Sequence, residues 1–253
     1  MYHLYHTPAF VLGSEPFGEG SKRFTLFTRE LGLISGNATS VREERSKLRY
    51  ALQDFSYSDI TLVRGKDSWR LTSAVLIENI YNVFRNTPEV AALFGRVFRL
   101  LQRLLAGEEK NEKLFDAVME GFNFLRIRIT NPYEYTNKTD HPPIPFADWK
   151  DGHPPADKNR SALFTTPLLP KTAVLPLIGE NEELRRHDSL TAEVEIVLVL
   201  RILYLLGYLA PRGEFNAVLS DISFWGDNVL TEARSFRALA LADINQSLKA
   251  SQL

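Results

Sequence analysis

The chain has 253 residues, 44% of them apolar and 24% charged, and it contains no cysteine. That composition excludes disorder throughout, a chain too short to bury a core, a disulfide scaffold, a thiol nucleophile, an iron–sulfur cluster and any Cys-ligated zinc. With 30 Lys+Arg against 31 Asp+Glu the formal net charge is −1, so any contact with a polyanion has to come from local patches.

The first residues, up to Gly20, carry no Lys or Arg and no long apolar run, and no signal peptide is expected there. Residues 1–79 read as strands and turns. Tyr5 to Leu12 predicts a first strand. Phe24 to Leu31 predicts a second, with Phe24, Leu26 and Thr28 alternating against Thr25, Phe27 and Arg29. Gly32 breaks it, and Leu33 to Thr39 predicts a third. Ser46 to Phe55 reads as a connection with a short helical turn. Tyr57 to Val63 and Trp69 to Ile77 alternate again around the turn Arg64-Gly65-Lys66-Asp67-Ser68. Five short strands in this space fit a small barrel.

From residue 80 the period becomes helical. Val90, Leu93, Phe94, Val97, Phe98, Leu101, Leu104 and Leu105 make one wide apolar stripe, with Thr87 as N-cap, Pro88 at the first helical position and Gly107 at the end. A second helix is predicted from about Glu112 to Ile129. The section from Asn131 to about Ser189 holds nine of the 13 prolines, which leaves no room for a long helix or an interior strand. An ordered surface loop and a mobile insertion both fit it. Helices are predicted again over about Leu190 to Leu206 and Asn228 to Leu248. The apolar run Val194 to Tyr208 is interrupted by Glu195 and Arg201 and is too short to span a bilayer, so it reads as a buried helix. The expected fold class is α+β: a five-stranded OB-type barrel over 1–79, then a mainly helical domain over 80–253 carrying a Pro-rich insertion at 131–189. A soluble, cytoplasmic protein without membrane contact is expected.

Chemical motifs are sparse. In Gly13 to Lys22, Glu19 stands where a phosphate loop needs its lysine, so the stretch reads as a turn between strands. The five histidines form no HExxH, and no Gly-x-Ser-x-Gly elbow is present. No enzyme, cofactor or metal is expected. One constellation has a physical logic. Arg42, Arg45, Lys47, Arg49, Arg64, Lys66 and Arg70 lie between residues 42 and 70, the last three in or beside the turn that precedes the fifth strand, next to Trp69. In OB-type barrels the loop joining strands four and five frames the oligonucleotide groove, where cations track phosphates and an aromatic offers a stacking face. A solvated barrel surface, with Trp69 partly in the core, also fits these residues. On the first long helix Arg96, Arg99 and Arg103 share one face beside the apolar stripe. Such a helix could offer an acidic, apolar-ended tail both a cationic rim and a hydrophobic pocket; a solvated amphipathic helix is the alternative.

The order of residues adds a resemblance. Gly18-Glu19-Gly20-Ser21-Lys22-Arg23-Phe24-Thr25-Leu26-Phe27-Thr28-Arg29-Glu30-Leu31-Gly32-Leu33-Ile34-Ser35, continued by Arg42, Ser46-Lys47-Leu48-Arg49, Ala51-Leu52-Gln53, Phe55, Leu62, Arg64-Gly65 and Leu71-Thr72, closely resembles the amino-terminal domain of the RecO family of bacterial DNA repair and recombination mediators. Leu205-Leu206-Gly207-Tyr208 and the closing Ile244 to Leu253 also resemble that family. The resemblance is dense over residues 5–80 and absent from 131–189. It implies an OB barrel joined to a helical domain and binding to single- and double-stranded DNA. It implies partnership with RecR and with the acidic tail of single-stranded-DNA-binding protein, help in RecA loading, strand annealing, no catalysis, and a place in the bacterial cytoplasm at the nucleoid. The DNA-binding set is then Lys22, Arg23, Arg42, Arg45, Lys47, Arg49, Arg64, Lys66, Trp69 and Arg70, and the tail-binding set is Arg96, Arg99 and Arg103. Two features depart from the family: the four cysteines with which many relatives hold a zinc ribbon in the helical domain are absent, and Asn37 to Glu44 is neutral then acidic where relatives tend to be basic. A barrel that contacts only proteins, without direct DNA binding, is the alternative function.

Overall fold

The computed structural model describes residues 3–66, 68–130, 180–210 and 212–250, with side chains from residue 189 onward in the third stretch. The Pro-rich section lies outside the described residues as far as residue 179. Five strands, β1 (Leu4–Pro16), β2 (Lys22–Thr28), β3 (Gly32–Ala38), β4 (Ser56–Arg64) and β5 (Trp69–Asn79), close into a barrel in the order β1-β2-β3-β5-β4, with β4 returning to β1. The expected α+β architecture, an OB-type barrel followed by helices, is the one observed. All neighbours are antiparallel except β3 and β5, which run parallel and meet only at Gly36↔Trp69 and Asn37↔Arg70.

Period-two alternation explains the barrel's filling. Phe24 and Leu26 of β2 point inward with Val11, Ile34, Leu62 and Leu71, forming one buried cluster. The opposite faces of β1, β2 and β4 carry Phe10, Phe27 and Tyr57, which belong to the helical core. β2 ends at Thr28 rather than Leu31. The Thr28 hydroxyl accepts the Leu31 N–H at 3.0 Å and donates to the Gly32 carbonyl at 2.9 Å, folding the chain into a turn that alternation alone does not reveal.

Eight α-helices are described: α1 (Leu48–Ala51), α2 (Ile80–Val83), α3 (Pro88–Leu104), α4 (Glu112–Thr130), α5 (Glu180–Leu205), α6 (Asn216–Leu219), α7 (Asp227–Ser235) and α8 (Arg237–Ala250), with a 3-10 turn at Gly213–Phe215. Pro88 opens α3 as expected, but the Thr87 hydroxyl donates to the Phe84 carbonyl at 3.5 Å instead of capping the helix. α2 was not expected; the Asn79 side chain accepts the Asn82 N–H at 3.2 Å and starts that single turn. α5 begins ten residues before the expected Leu190, so helix occupies the last residues assigned to the Pro-rich section. The helix expected over Asn228 to Leu248 is broken at Phe236, whose buried ring lies 5.0 Å from that of Phe215.

α5 packs against α3, α4, α6, α7 and α8, so it is apolar on nearly every side. Its charged residues are all engaged where described. Glu195 accepts two bonds from Arg96, Glu193 accepts from Arg234 at 2.7 Å, and Arg201 donates to the carbonyls of Val218, Asp221 and Phe224. Barrel and helices meet through rings: Phe10 lies 5.5 Å from Phe98 and 5.3 Å from Phe115, and Phe27 lies 5.3 Å from Phe115. At the margin of this junction Arg29 forms a two-pronged pair with Asp116, at 2.9 and 3.1 Å. Among the described residues no helix is long and apolar enough to cross a membrane.

Candidate nucleic-acid interface

Residues directly opposite each other in a sheet share a face. The register places Glu15 opposite Arg23, Arg23 opposite Asn37, and Asn37 opposite Arg70, a polar row across β1, β2, β3 and β5. Arg23 Nη1 lies 3.4 Å from Glu15, its Nε donates to Asn37 Oδ1 at 3.4 Å, and its guanidinium lies 4.3 Å from the centre of the exposed Phe17 ring. Asn37 Nδ2 reaches Ser68 Oγ at 3.2 Å, tying β3 to the β4–β5 turn. Lys22 Nζ donates to Ser14 Oγ at 3.2 Å. Arg70 is exposed, and among the described residues it has no ion-pair partner.

The connection from β3 to α1 runs beside the β1–β2 turn, because the Arg42 N–H donates to the Gly20 carbonyl at 2.9 Å. Gly18 and Gly20 hold φ of 72° and 77° in that turn, a conformation that favours glycine. Arg42, Arg45, Lys47 and Arg49 are exposed on this connection and on α1, and none has an ion-pair partner among the described residues. Lys66 is likewise exposed and unpaired there.

Two expected residues are placed differently. Trp69 is only 4% exposed, with its ring in the barrel core, the Tyr5 ring edge-on at 5.0 Å and the Arg64 guanidinium 4.7 Å from its centre. It has no open face for a base, because its alternation partner Leu71 also points inward. Arg64 in turn donates to Glu108 at 2.6 Å, and that bond holds the Glu108 carboxyl below the usual carboxylate range. Glu108 belongs to the α3–α4 loop, which docks on β3 where the Leu33 N–H donates to the Gly107 carbonyl at 3.2 Å. Between that loop and the barrel lies a crevice of about 320 Å3, lined by Thr25, Ile34, Ser35, Leu105, Gly107 and Glu108. Asn37, Phe17 and Glu108 were not singled out by sequence. Asn37 was readable as the outward partner of Ser35 on β3, whereas Glu108 carries no local signal.

The three arginines of α3 separate. Arg96 binds Glu195 at 2.6 and 2.7 Å and borders a groove of about 380 Å3 between α3, α5 and α8, lined among others by Leu100, Ile196, Val199, Leu241 and Arg237. Arg99 and Arg103 do not line it. Arg237, from the chain's far end, is a second cation on that groove that sequence spacing could not connect to Arg96. Among the described residues no group of His, Asp and Glu is arranged to hold a metal ion.

Comparison with known proteins points the same way as the barrel. Residues 1–80 match the family model described as Recombination protein O N terminal. The chain is 32% identical over 117 residues to a DNA repair protein RecO of Dehalococcoides mccartyi, 46% of each chain, and 31% identical over 132 residues to that of Heliobacterium modesticaldum, 49% of this chain and 45% of the relative. A RecO of Neisseria gonorrhoeae aligns over 209 residues at 27% identity, covering 79% of this chain and 80% of the relative. The chain thus spans just under half the length of the Dehalococcoides relative, and most of the length of the Neisseria one. Residues 1–80 thus form a five-stranded barrel that matches the RecO amino-terminal model, and the longer alignment carries the similarity to RecO proteins into the helices that follow.

Proposed function

We propose that this chain is a non-catalytic DNA repair and recombination mediator. It holds single- and double-stranded DNA on the barrel, anneals complementary strands and, acting with RecR, helps RecA onto DNA coated with single-stranded-DNA-binding protein. The barrel, residues 1–79, takes the phosphate backbone through Lys22, Arg23, Arg42, Arg45, Lys47, Arg49, Lys66 and Arg70, with Arg64 joining once it leaves Glu108. The observation that carries this reading is the row Arg23–Asn37–Arg70 on an uncovered sheet face, flanked by exposed cations without carboxylate partners among the described residues. Phosphate contacts of this kind need no nucleotide, metal or reacting group, and they release counterions on binding. The helical part, residues 80–253, takes the acidic tail of single-stranded-DNA-binding protein in the groove bordered by Arg96 and Arg237, where apolar walls suit a tail ending in an apolar side chain. The DNA-bound site of action is the nucleoid of a bacterial cytoplasm.

Fluorescence anisotropy of labelled single-stranded DNA at several salt concentrations tests the reading. Binding that weakens with a log–log salt slope of several units is expected, at about 0.7 per phosphate contacted. No binding even at low salt would overturn direct DNA recognition. One observation favours the rival, a barrel that contacts proteins alone: Glu15 and Glu108 already neutralise Arg23 and Arg64. The same titration separates the two.

A further inference from the structure

α3 has three sides with different neighbours. Its barrel side carries Gly95, where a Cβ would lie 3.6 Å from the Phe55 ring, and Gln102, whose Nε2 is 3.6 Å from the position of a Cβ on Gly13. Its groove side carries Arg96 and Leu100. At 100° per residue, Arg99 and Arg103 fall between these two sides, on the solvent-facing crest. Both are exposed, neither has an ion-pair partner among the described residues, and one helical turn, about 6 Å of rise, separates them.

Gly13 lies opposite Thr25 and two residues before Glu15, so it shares the sheet face of the Glu15–Arg23–Asn37–Arg70 row, whereas Ser14 and Lys22 lie on the other face. That face therefore reaches α3 at Gln102, beside Arg99 and Arg103, which have no carboxylate partner among the described residues. Among the described residues of the helical part, five other arginines are spent on carboxylates: Arg96 on Glu195, Arg126 on Glu78, Arg128 on Asp227, Arg212 on Asp243 and Arg234 on Glu193. A pair left open beside the barrel, on a rigid helix, is available to an external anion.

The geometry points to a second phosphate track: Arg99 and Arg103 carry the backbone of a bound nucleic-acid strand off the barrel and over α3, rather than serving an acidic tail. This rests on the DNA reading above and extends it to the helical part. A strand on this track would run along the crest beside the groove, which brings nucleic acid and a groove-bound peptide to adjacent sides of one helix.

The test uses the full chain with both arginines reversed, R99E/R103E, and the milder R99Q/R103Q, each checked for an unchanged thermal transition. Labelled single-stranded DNA is titrated at several salt concentrations, and an acidic peptide ending in an apolar residue is titrated separately. The expected result is a salt slope lower by about 1.4, two contacts at about 0.7 each, and at least tenfold weaker DNA binding at low salt, with peptide affinity unchanged. If the parent protein binds DNA and both variants keep its slope, the track is wrong while the barrel reading stands. If the parent protein itself fails to bind, both fall. Loss of peptide binding with DNA binding intact would assign the arginines to the tail and overturn the track.

Discussion

Glu108 reaches Arg64 from 44 residues further along the chain and fixes its guanidinium over the Trp69 ring. Both partners are 46% exposed, so the pair adds little stability, at most about 1 kcal/mol. Its larger effect is on charge, since a carboxylate occupies the place a phosphate would take. Replacing it in E108Q is expected to leave the melting temperature nearly unchanged while raising low-salt DNA affinity and steepening the salt slope by about 0.7, one added contact. An unchanged slope would mean that Arg64 never reaches the nucleic acid. At this scale the sequence is a partial guide. It correctly groups Arg64, Lys66 and Arg70 around one turn, but proximity to Trp69 suggested a stacking face, and only the inward phase that Trp69 shares with Leu71 tells that the ring is buried. A contact such as Glu108 to Arg64 depends on how a distant loop docks, and no spacing encodes it.

α4 carries a second carboxylate whose setting has a measurable consequence. Burial, with Asp116 one turn earlier adding repulsion, pushes the Glu120 carboxyl up from 4.5 to about 7. The folded state therefore holds this proton more tightly than the unfolded chain does. The associated stability is fully present below about pH 4.5 and is lost as pH rises through about 7. E120Q, which does not titrate, should match the parent protein near pH 4 and exceed it at pH 8 by on the order of 2–3 kcal/mol in urea unfolding. A difference independent of pH would show that Glu120 is not held as a buried acid. Elements with strong periodicity were legible: all five strands, α3 and α4. The ends were not, because local side-chain bonds set them, as Thr28 does for β2. The break at Phe236 was hidden too, since no glycine or proline marks it and the cause is a ring contact with Phe215.

Barrel and helices are joined by a common aromatic core, in which Phe115 touches both Phe10 and Phe27. F115A should cost about 3–5 kcal/mol and should shift the unfolding of strands and helices together, seen as coincident near- and far-UV transitions. Two separate transitions would show that residues 1–79 and the helical part fold independently. This union was foreshadowed at the end of β2, where Phe27, and Arg29 just past the strand, keep the phase that alternation assigns to Thr25. Phe27 meets Phe115 and Arg29 meets Asp116, so the apparent lapse in patterning marks the junction. The groove between α3, α5 and α8 had no such herald, since its walls come from three distant segments. The parallel meeting of β3 and β5, two residue pairs wide, is the narrowest seam of the barrel. One of those pairs is Asn37 with Arg70, the end of the polar row. A strand laid across that row would bridge the seam like a splint, so ligand affinity and barrel closure become a single linked equilibrium, each strengthening the other.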